Sequence, residues 1–176
     1  MSESRSGSRQ AQGLGQDSAD GPVRTPTGKK KLLAVSSGGG HWVELIRLMP
    51  VFEGHDVAFA TVSEAYRSEV GSARFYTLRD VTRWNKLRWV QTFGKIAWIL
   101  IRERPDLVIS TGALPGYFAL RMAKWFGTST VWLDSIANVE ELSMSGQKIG
   151  KHADLWLTQW PHLAKPDGPH FRGTVL

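Results

Sequence analysis

Three glycines join an apolar segment to a helical pattern in the run Lys31-Leu-Leu-Ala-Val-Ser-Ser-Gly-Gly-Gly-His-Trp-Val-Glu-Leu-Ile-Arg-Leu-Met49. The segment from Lys31 to Ser36 is typical of a buried strand, and the segment from Val43 to Met49 is typical of a helix. A glycine turn between them brings backbone amides and a helix N-terminus close to a ligand, and both favour an anion such as phosphate. The run therefore predicts that a phosphorylated ligand binds at Ser37, Gly38, Gly39 and Gly40.

Two common nucleotide-binding loops do not fit this run. In a dinucleotide-binding loop the third glycine position would fall on Val43, whose side chain obstructs close packing of helix on strand. A Walker loop needs a Lys-Ser or Lys-Thr pair after the glycines, and the sequence has neither there. A turn that simply closes a strand–helix corner is the plain alternative.

Short apolar runs alternate with helical patterns along the rest of the chain. Strands are predicted at 56–61, 74–78, 107–110, 130–133 and 155–158, and helices at 64–70, 84–104 and 115–126. This alternation predicts an α/β fold, a Rossmann-like parallel sheet with helices on both faces, which binds ligands at the carboxyl ends of its strands. Three strand exits then share one edge: Ser36 to His41, Ser110 to Tyr117 and Asp134 to Asn138.

The second and third exits add candidate binding and catalytic groups. Ser110, Thr111, Gly112 and the amides after it are candidates to bind a second phosphate or a sugar hydroxyl. Asn138, at the end of the third exit, is a further candidate binding residue. His41 and Asp134 are the candidate catalytic bases, since a histidine beginning a helix favours its neutral, proton-accepting form. A simple turn at 110–117, an N-cap role for Asp134, and a capping or packing role for His41 are the alternatives.

Composition limits the class of protein. The chain has 176 residues, 41% of them hydrophobic, and no cysteine. Residues 1–30 are rich in Ser, Gly, Gln and Asp, which predicts a disordered polar tail ahead of one domain at 31–176. The sequence shows no signal peptide and no apolar run of about 20 residues, so we expect a cytoplasmic protein. It shows no metal-ligand spacing either, so we expect no metal and no cofactor.

Positive charge is concentrated in one helical pattern. The net charge is +6, and residues 79–104 carry +5 of it, with +3 on the tail through residue 31 and −2 on the remainder. Apolar residues occupy two stripes of this helix, one predicted to be buried (Trp89, Phe93, Ile96 and Leu100) and one surplus (Leu87, Val90, Trp98 and Ile101). Aromatic residues beside cations predict contact with an anionic membrane surface through Trp84, Lys86, Arg88 and Trp98.

Two other interpretations of this helix concern its core packing and nucleic acid. A core helix with a solvated basic edge explains the same pattern. Nucleic acid is not an expected partner, because the predicted strand exits contain no interleaved basic residues.

These motifs resemble a known family. Ser37-Gly-Gly-Gly-His41, Arg104-Pro-Asp-Leu-Val-Ile109 with Gly112, Leu142-Ser-Met-Ser-Gly-Gln-Lys-Ile149 and Ala153-Asp-Leu-Trp-Leu-Thr-Gln-Trp-Pro161 are similar to the acceptor-side subunit of the two-part UDP-N-acetylglucosamine transferase of dolichol-linked oligosaccharide assembly. Bacterial exopolysaccharide glycosyltransferase subunits of the PssD type resemble the chain as closely. The resemblance runs from residue 37 to residue 161.

The resemblance implies the amino-terminal half of a GT-B glycosyltransferase, similar to that of MurG. It implies that the exits around Gly39 and Gly112 receive the diphosphate of a polyprenyl-linked saccharide. It also implies an obligate donor-binding partner, a heterodimer that is inactive as separate subunits, transfer of N-acetylglucosamine or glucuronic acid from a UDP-sugar, and peripheral attachment to the cytoplasmic face of the membrane. A noncatalytic membrane scaffold and a complete nucleotide-binding enzyme of Rossmann type are the competing hypotheses.

Overall fold

The computed structural model describes residues 28–79 and 86–175, with only the backbone of residues 86–88. Its strands are β1 (Lys31–Val35), β2 (Asp56–Thr61), β3 (Arg74–Thr77), β4 (Leu107–Ser110), β5 (Ser129–Leu133), β6 (Leu155–Thr158) and β7 (His170–Phe171). They form one sheet in the order β3-β2-β1-β4-β5-β6-β7, and every neighbouring pair is parallel. The predicted parallel sheet is therefore confirmed.

Helices connect these strands. They are α1 (Gly40–Arg47), α2 (Met49–Phe52), α3 (Lys86–Glu103), α4 (Ala113–Ala123) and α5 (Met144–Ile149), with 3-10 helices at Glu64–Val70, Lys124–Phe126 and Pro161–Leu163. The sequence did not predict α5 or β7, because six and two residues are too few for a hydrophobic period to show. The Ser143 hydroxyl caps α5 by accepting a hydrogen bond from the amide of Gly146.

Both faces of the sheet are covered, as predicted. Alternate residues of β1 point to opposite faces, so Leu33 and Val35 join a core with α3, α4 and α5. Leu32 and Ala34 instead join a core with α1 and α2. Near-continuous apolar strands are what a parallel sheet between two helical layers requires.

Strand order fixes where a ligand can bind. β1 lies between β2 and β4, so the chain leaves β1 toward one side of the sheet and later returns to its other side. Such a reversal opens a crevice beyond the carboxyl ends of the two strands, and ligands of open α/β sheets bind there. The first two predicted exits follow β1 and β4, and the third follows β5, the neighbour of β4.

The longest helix presents a broad apolar surface outward. Ile96, Ile99 and Leu100 of α3 are buried, whereas Val90, Trp98 and Ile101 are about half exposed or more, as the surplus stripe predicted. The prediction that Phe93 is buried is wrong: its side chain is 38% exposed, and its ring lies against Phe118 and Trp125.

Several predictions for the tail and this helix fall on residues that are not described. Trp84 and the tail as far as residue 27 lie outside the described residues, as do the side chains of Lys86, Leu87 and Arg88. Within residues 28–79 and 86–175, no helix combines the length and the hydropathy that crossing a bilayer requires.

Candidate functional site

A cleft of about 410 Å³ opens where the three predicted strand exits meet. The first exit contributes Gly40 and His41, and the second contributes Ala113. The third exit and the start of α5 complete the wall with Ser135, Ala137, Asn138, Ser143, Met144 and Ser145. The cleft thus lies at the crevice that the strand order creates, and it includes a fourth element, α5, that the sequence did not predict.

His41 is fixed by two hydrogen bonds between the first and second exits. Its Nδ1 lies 2.9 Å from the carbonyl oxygen of Thr111, and the Thr111 hydroxyl donates to the carbonyl of His41 at 2.6 Å. A carbonyl only accepts, so Nδ1 carries a proton and donates it. In the neutral ring Nε2 is then the accepting nitrogen, and within the described part of the chain it has no hydrogen-bond partner.

The backbone of the second exit is shaped to receive the His41 ring. Gly112 has φ 138°, and a Cβ placed there would lie 2.5 Å from Nδ1 and Cε1 of His41. The next residue, Ala113, has φ 63°, which is uncommon for a residue with a side chain. Backbone held in such a conformation marks a place where surrounding contacts override local preference.

The glycines of the first exit have different roles. Gly39 is the N-cap of α1 and has φ 64°, and its amide donates to the Tyr66 hydroxyl at 3.0 Å. Gly38 packs against the same tyrosine, whose ring stacks on Trp42 at 4.8 Å. Of the predicted phosphate-binding residues, Gly40 and Asn138 line the cleft, whereas Ser37, Gly38, Gly39, Thr111 and Gly112 are not among its lining residues.

Asp134 is buried beneath the third exit. Its Oδ1 accepts hydrogen bonds from the Ser135 amide and the Asn138 side chain, and its Oδ2 accepts one from the Ser143 amide. Burial raises the pKa of this carboxyl above its ordinary value, although the hydrogen bonds from Ser143, Ser135 and Asn138 act in the opposite direction. Asp134 is 2% exposed and does not line the cleft, so the geometry favours His41 as the group that faces a ligand.

Two buried polar side chains that the sequence analysis did not select support the third exit. Glu44 is 5% exposed, and its Oε1 accepts hydrogen bonds from the Ser135 hydroxyl and the Ile136 amide. Gln159 donates to the Asp134 carbonyl and accepts from the amide of Val175. The helical spacing of Glu44 from His41 was visible in the sequence, but its partner is 91 residues away and no local pattern indicates it.

Two observations concern what the cleft can bind. Among the described residues, no group of three or more His, Asp or Glu side chains is arranged to hold a metal ion. The described residues that line the cleft include no Asp or Glu. The walls therefore offer amides, hydroxyls and one imidazole, which suit a phosphate or a sugar better than a cation.

The chain is similar to a known protein family. The model of the family described as "Oligosaccharide biosynthesis protein Alg14 like" matches residues 85–175, just over half of the chain. The human protein named UDP-N-acetylglucosamine transferase subunit ALG14 is 26% identical, with 79% of each chain covered. The subunit of the same name from Schizosaccharomyces pombe is 27% identical, over 77% of this chain and 78% of its own.

Solved structures agree on the fold. MurG of Acinetobacter baumannii superposes with a TM-score of 0.67 at 11% identity, over 82% of this chain and 45% of MurG. A UDP-N-acetylglucosamine 2-epimerase from Rickettsia bellii gives a TM-score of 0.63 at 13% identity, over 84% of this chain and 46% of the epimerase. The chain thus spans just under half of each enzyme.

These likenesses confirm the expected Rossmann-like half of a GT-B fold and the resemblance to the amino-terminal half of MurG. The motifs quoted from the second half of the sequence fall inside the matched range. The chain belongs to the Alg14-like family of oligosaccharide biosynthesis proteins.

Proposed function

We propose that this chain is the acceptor-binding subunit of a glycosyltransferase. The acceptor is a saccharide linked to a polyprenyl diphosphate, and a separate donor-binding subunit supplies a UDP-sugar. The observation that carries the proposal is the cleft at the carboxyl ends of β1, β4 and β5. Two helices begin there beside an imidazole whose Nε2 has no hydrogen-bond partner among the described residues. The product belongs to lipid-linked oligosaccharide or exopolysaccharide synthesis.

The cleft suits the diphosphate of such an acceptor. α1 begins at Gly40 and α4 at Ala113, and both residues line the cleft. The first amides of a helix have no intrahelical acceptor, and the helix dipole makes this end positive, so each start favours a phosphate oxygen. The lack of Asp and Glu among the described lining residues removes the repulsion that a carboxylate would add.

His41 is the base in this proposal. The acceptor hydroxyl oxygen forms a bond to the anomeric carbon, the bond from that carbon to the phosphate oxygen breaks, and UDP leaves with the electron pair. The hydroxyl proton passes to Nε2, because Nδ1 already donates to the Thr111 carbonyl. Asp134 positions the loop that bears Asn138, the other predicted ligand contact.

A partner subunit is part of the proposal. Both curated relatives are named as subunits of a UDP-N-acetylglucosamine transferase, which supports a heterodimer and N-acetylglucosamine as the transferred sugar. Glucuronic acid, as in exopolysaccharide synthesis, is the alternative donor sugar. We propose that neither subunit transfers sugar alone, because base and donor site lie on different polypeptides.

Membrane attachment is peripheral in this proposal. Six large apolar side chains form an exposed surface, here called the outer apolar face: Val90, Phe93, Trp98 and Ile101 of α3, with Trp125 and Phe126 after α4. Lys95 and Arg102 are exposed on the same helix. Apolar and aromatic residues beside cations suit the cytoplasmic surface of an anionic bilayer, and the predicted contacts of Trp84, Lys86 and Arg88 belong to the same proposal.

The test is sugar transfer by the purified complex. The full chain is combined with a donor-binding subunit, a UDP-sugar with a radiolabel and a polyprenyl-diphosphate saccharide. His41→Gln keeps a neutral polar side chain but removes the base, so we expect kcat to fall by about 10²–10⁴ with the complex intact. His152→Gln, at an exposed histidine outside the cleft, is the matched control and should retain full activity.

Three outcomes bear on the alternatives. Equal activity from either polypeptide alone would refute a divided enzyme. Full activity of both the His41→Gln and the Asp134→Asn complexes would show a noncatalytic scaffold. Asp134→Asn separates the two candidate bases, since a catalytic Asp134 predicts a loss of kcat as large as that of His41→Gln, without loss of folding.

A further inference from the structure

A second cavity, of about 660 Å³, lies between α3, α4 and α5. Its walls include Trp89 of α3, Leu114, Tyr117 and Phe118 of α4, and Met144 and Lys148 of α5. It is called the aromatic groove below. Met144 and Ser145 also line the cleft, so the two cavities adjoin along the start of α5.

The composition of the aromatic groove suits an apolar chain with a negative head. Among the described residues that line it, Lys148 is the only charged one. The remainder of the wall is mostly aromatic and aliphatic, and its volume falls within the range of about 300–1,000 Å³ that is usual for small-molecule sites. An apolar surface of this kind is stabilised when an apolar ligand displaces water from it.

The far end of the groove leads to the outer apolar face. The ring of Phe118 lies 5.8 Å, centroid to centroid, from those of Trp89, Tyr117 and Phe93. Phe93 in turn lies 6.3 Å from Trp125, which is 67% exposed. A series of rings therefore connects the aromatic groove, which adjoins the cleft at Met144 and Ser145, to the outer apolar face.

We propose that the aromatic groove binds the first isoprene units of the lipid that carries the acceptor diphosphate. The inference rests on the proposed function, since the diphosphate in the cleft defines where the lipid chain begins. The chain then passes along α4 to the bilayer without crossing water. Lys148, one turn after Met144 in α5, contributes the positive charge that the neighbouring diphosphate requires.

Photolabelling of the full chain tests the location. The probe is farnesyl diphosphate with a benzophenone on its terminal isoprene unit, and the labelled peptides are identified by mass spectrometry. We expect label on peptides containing residues 114–118 and 144–148. Label confined to other peptides, for example those around Trp98, would overturn the inference because the chain would then lie on the outer apolar face alone.

Competition measures whether the isoprenoid itself is recognised. Unlabelled farnesyl diphosphate should displace the probe at a concentration about tenfold lower than isopentenyl diphosphate, which has the same head and a single isoprene unit. Equal competition by the two would show that the diphosphate alone is bound, and the groove would then have no part in recognition.

Two variants place the preference in the groove. Met144→Asn changes a side chain that is 62% exposed, so it leaves the core intact and should reduce the farnesyl-to-isopentenyl preference about fivefold. Phe118→Asn should reduce it further. Val51→Asn, at a 68% exposed side chain on α2, is the matched control and should keep the wild-type preference. An unchanged preference in a folded Met144→Asn protein would refute the inference.

Transfer assays distinguish this inference from the proposed function. A complex that transfers sugar, and whose preference for longer lipid acceptors survives Met144→Asn, would refute the groove and leave the function standing. A chain that is labelled at the groove, yet supports no transfer with its partner, would refute the function and leave the isoprenoid site standing.

Discussion

The imidazole of His41 packs so closely on the second exit that position 112 has no room for a side chain. Gly112 therefore meets two requirements: a positive φ, and a bare Cα beside Nδ1 and Cε1 of the ring. The two hydrogen bonds between His41 and Thr111 depend on that approach. Gly112 thus leaves room for the ring of the proposed base, and the Thr111 carbonyl beside it sets the tautomer.

We expect Gly112→Ala to displace the His41 ring and to lower the free energy of unfolding by about 2–3 kcal/mol. Gly127→Ala is the matched control, because Gly127 also has a positive φ (69°) but open space around its Cα. Its cost is about 1 kcal/mol from left-handed backbone strain alone. Urea denaturation of both variants measures the difference. Equal destabilisation would contradict a steric contact with His41.

Helix α3 has a buried face and an exposed apolar face. Thr92, Ile96 and Ile99 lie on the buried side, and Val90, Trp98 and Ile101 lie on the exposed side. The guanidinium of Arg102 lies over the Trp98 ring, 5.3 Å from its centroid. Neighbouring exposed apolar side chains of this kind are typical of surfaces that contact a membrane or another protein, and here they belong to the face proposed above to lie on the membrane.

We expect the double change Trp98→Ser and Ile101→Ser to weaken binding to vesicles that contain phosphatidylglycerol at least tenfold, because each side chain removes apolar area that enters the interface. Val51→Ser, at a similarly exposed side chain on α2, serves as control. Cosedimentation measures both. Binding of wild type and double variant to the same extent would show that the outer apolar face does not contact lipid.

A network of ion pairs joins the β3 edge of the sheet to helix α3. Arg74 of β3 lies 3.0 Å from Asp56 of β2 and 2.8 Å from Glu103 at the end of α3. Tyr76 also donates a hydrogen bond to Glu103, whose side chain is 8% exposed. The hydrogen bond from Arg74 lowers the pKa of the Asp56 carboxyl below its ordinary value of 3.8.

Arg74→Met leaves Glu103 buried without its cation, so we expect a loss of about 2 kcal/mol in the free energy of unfolding near neutral pH. Because folding lowers the pKa of Asp56, its contribution is present above pH 3.8 and is lost as the pH falls through the lowered value. The difference between wild type and variant should therefore shrink in acid. Urea titrations from pH 7 to pH 3 measure it.

Lys151→Met, which removes an exposed cation from a turn, is the control and should change stability by less than about 0.5 kcal/mol at every pH. A difference between wild type and Arg74→Met that stays constant from pH 7 to pH 3 would contradict the assigned role of the Asp56 pair.

Much of the fold could be predicted from local sequence, but the buried side chains that support the cleft could not. Apolar strands and glycine turns predicted the parallel sheet, and the rule that strand ends share an edge brought His41, Gly40 and Asn138 together. The hydrogen bonds of Glu44 with Ser135 and of Tyr66 with Gly39 join residues far apart in the chain. No periodicity in the sequence encodes such pairs. Phe93 was misassigned because helical spacing cannot distinguish core from a neighbouring exposed cluster.

The acceptor that orients His41 is a peptide carbonyl, not a side chain. Substitution at position 111 can delete a hydroxyl but cannot delete that oxygen. A substitution of Thr111 therefore leaves the proton on Nδ1 of His41 with its acceptor. Because the main chain orients the ring, the nitrogen proposed to accept the proton keeps its position whichever side chain occupies position 111.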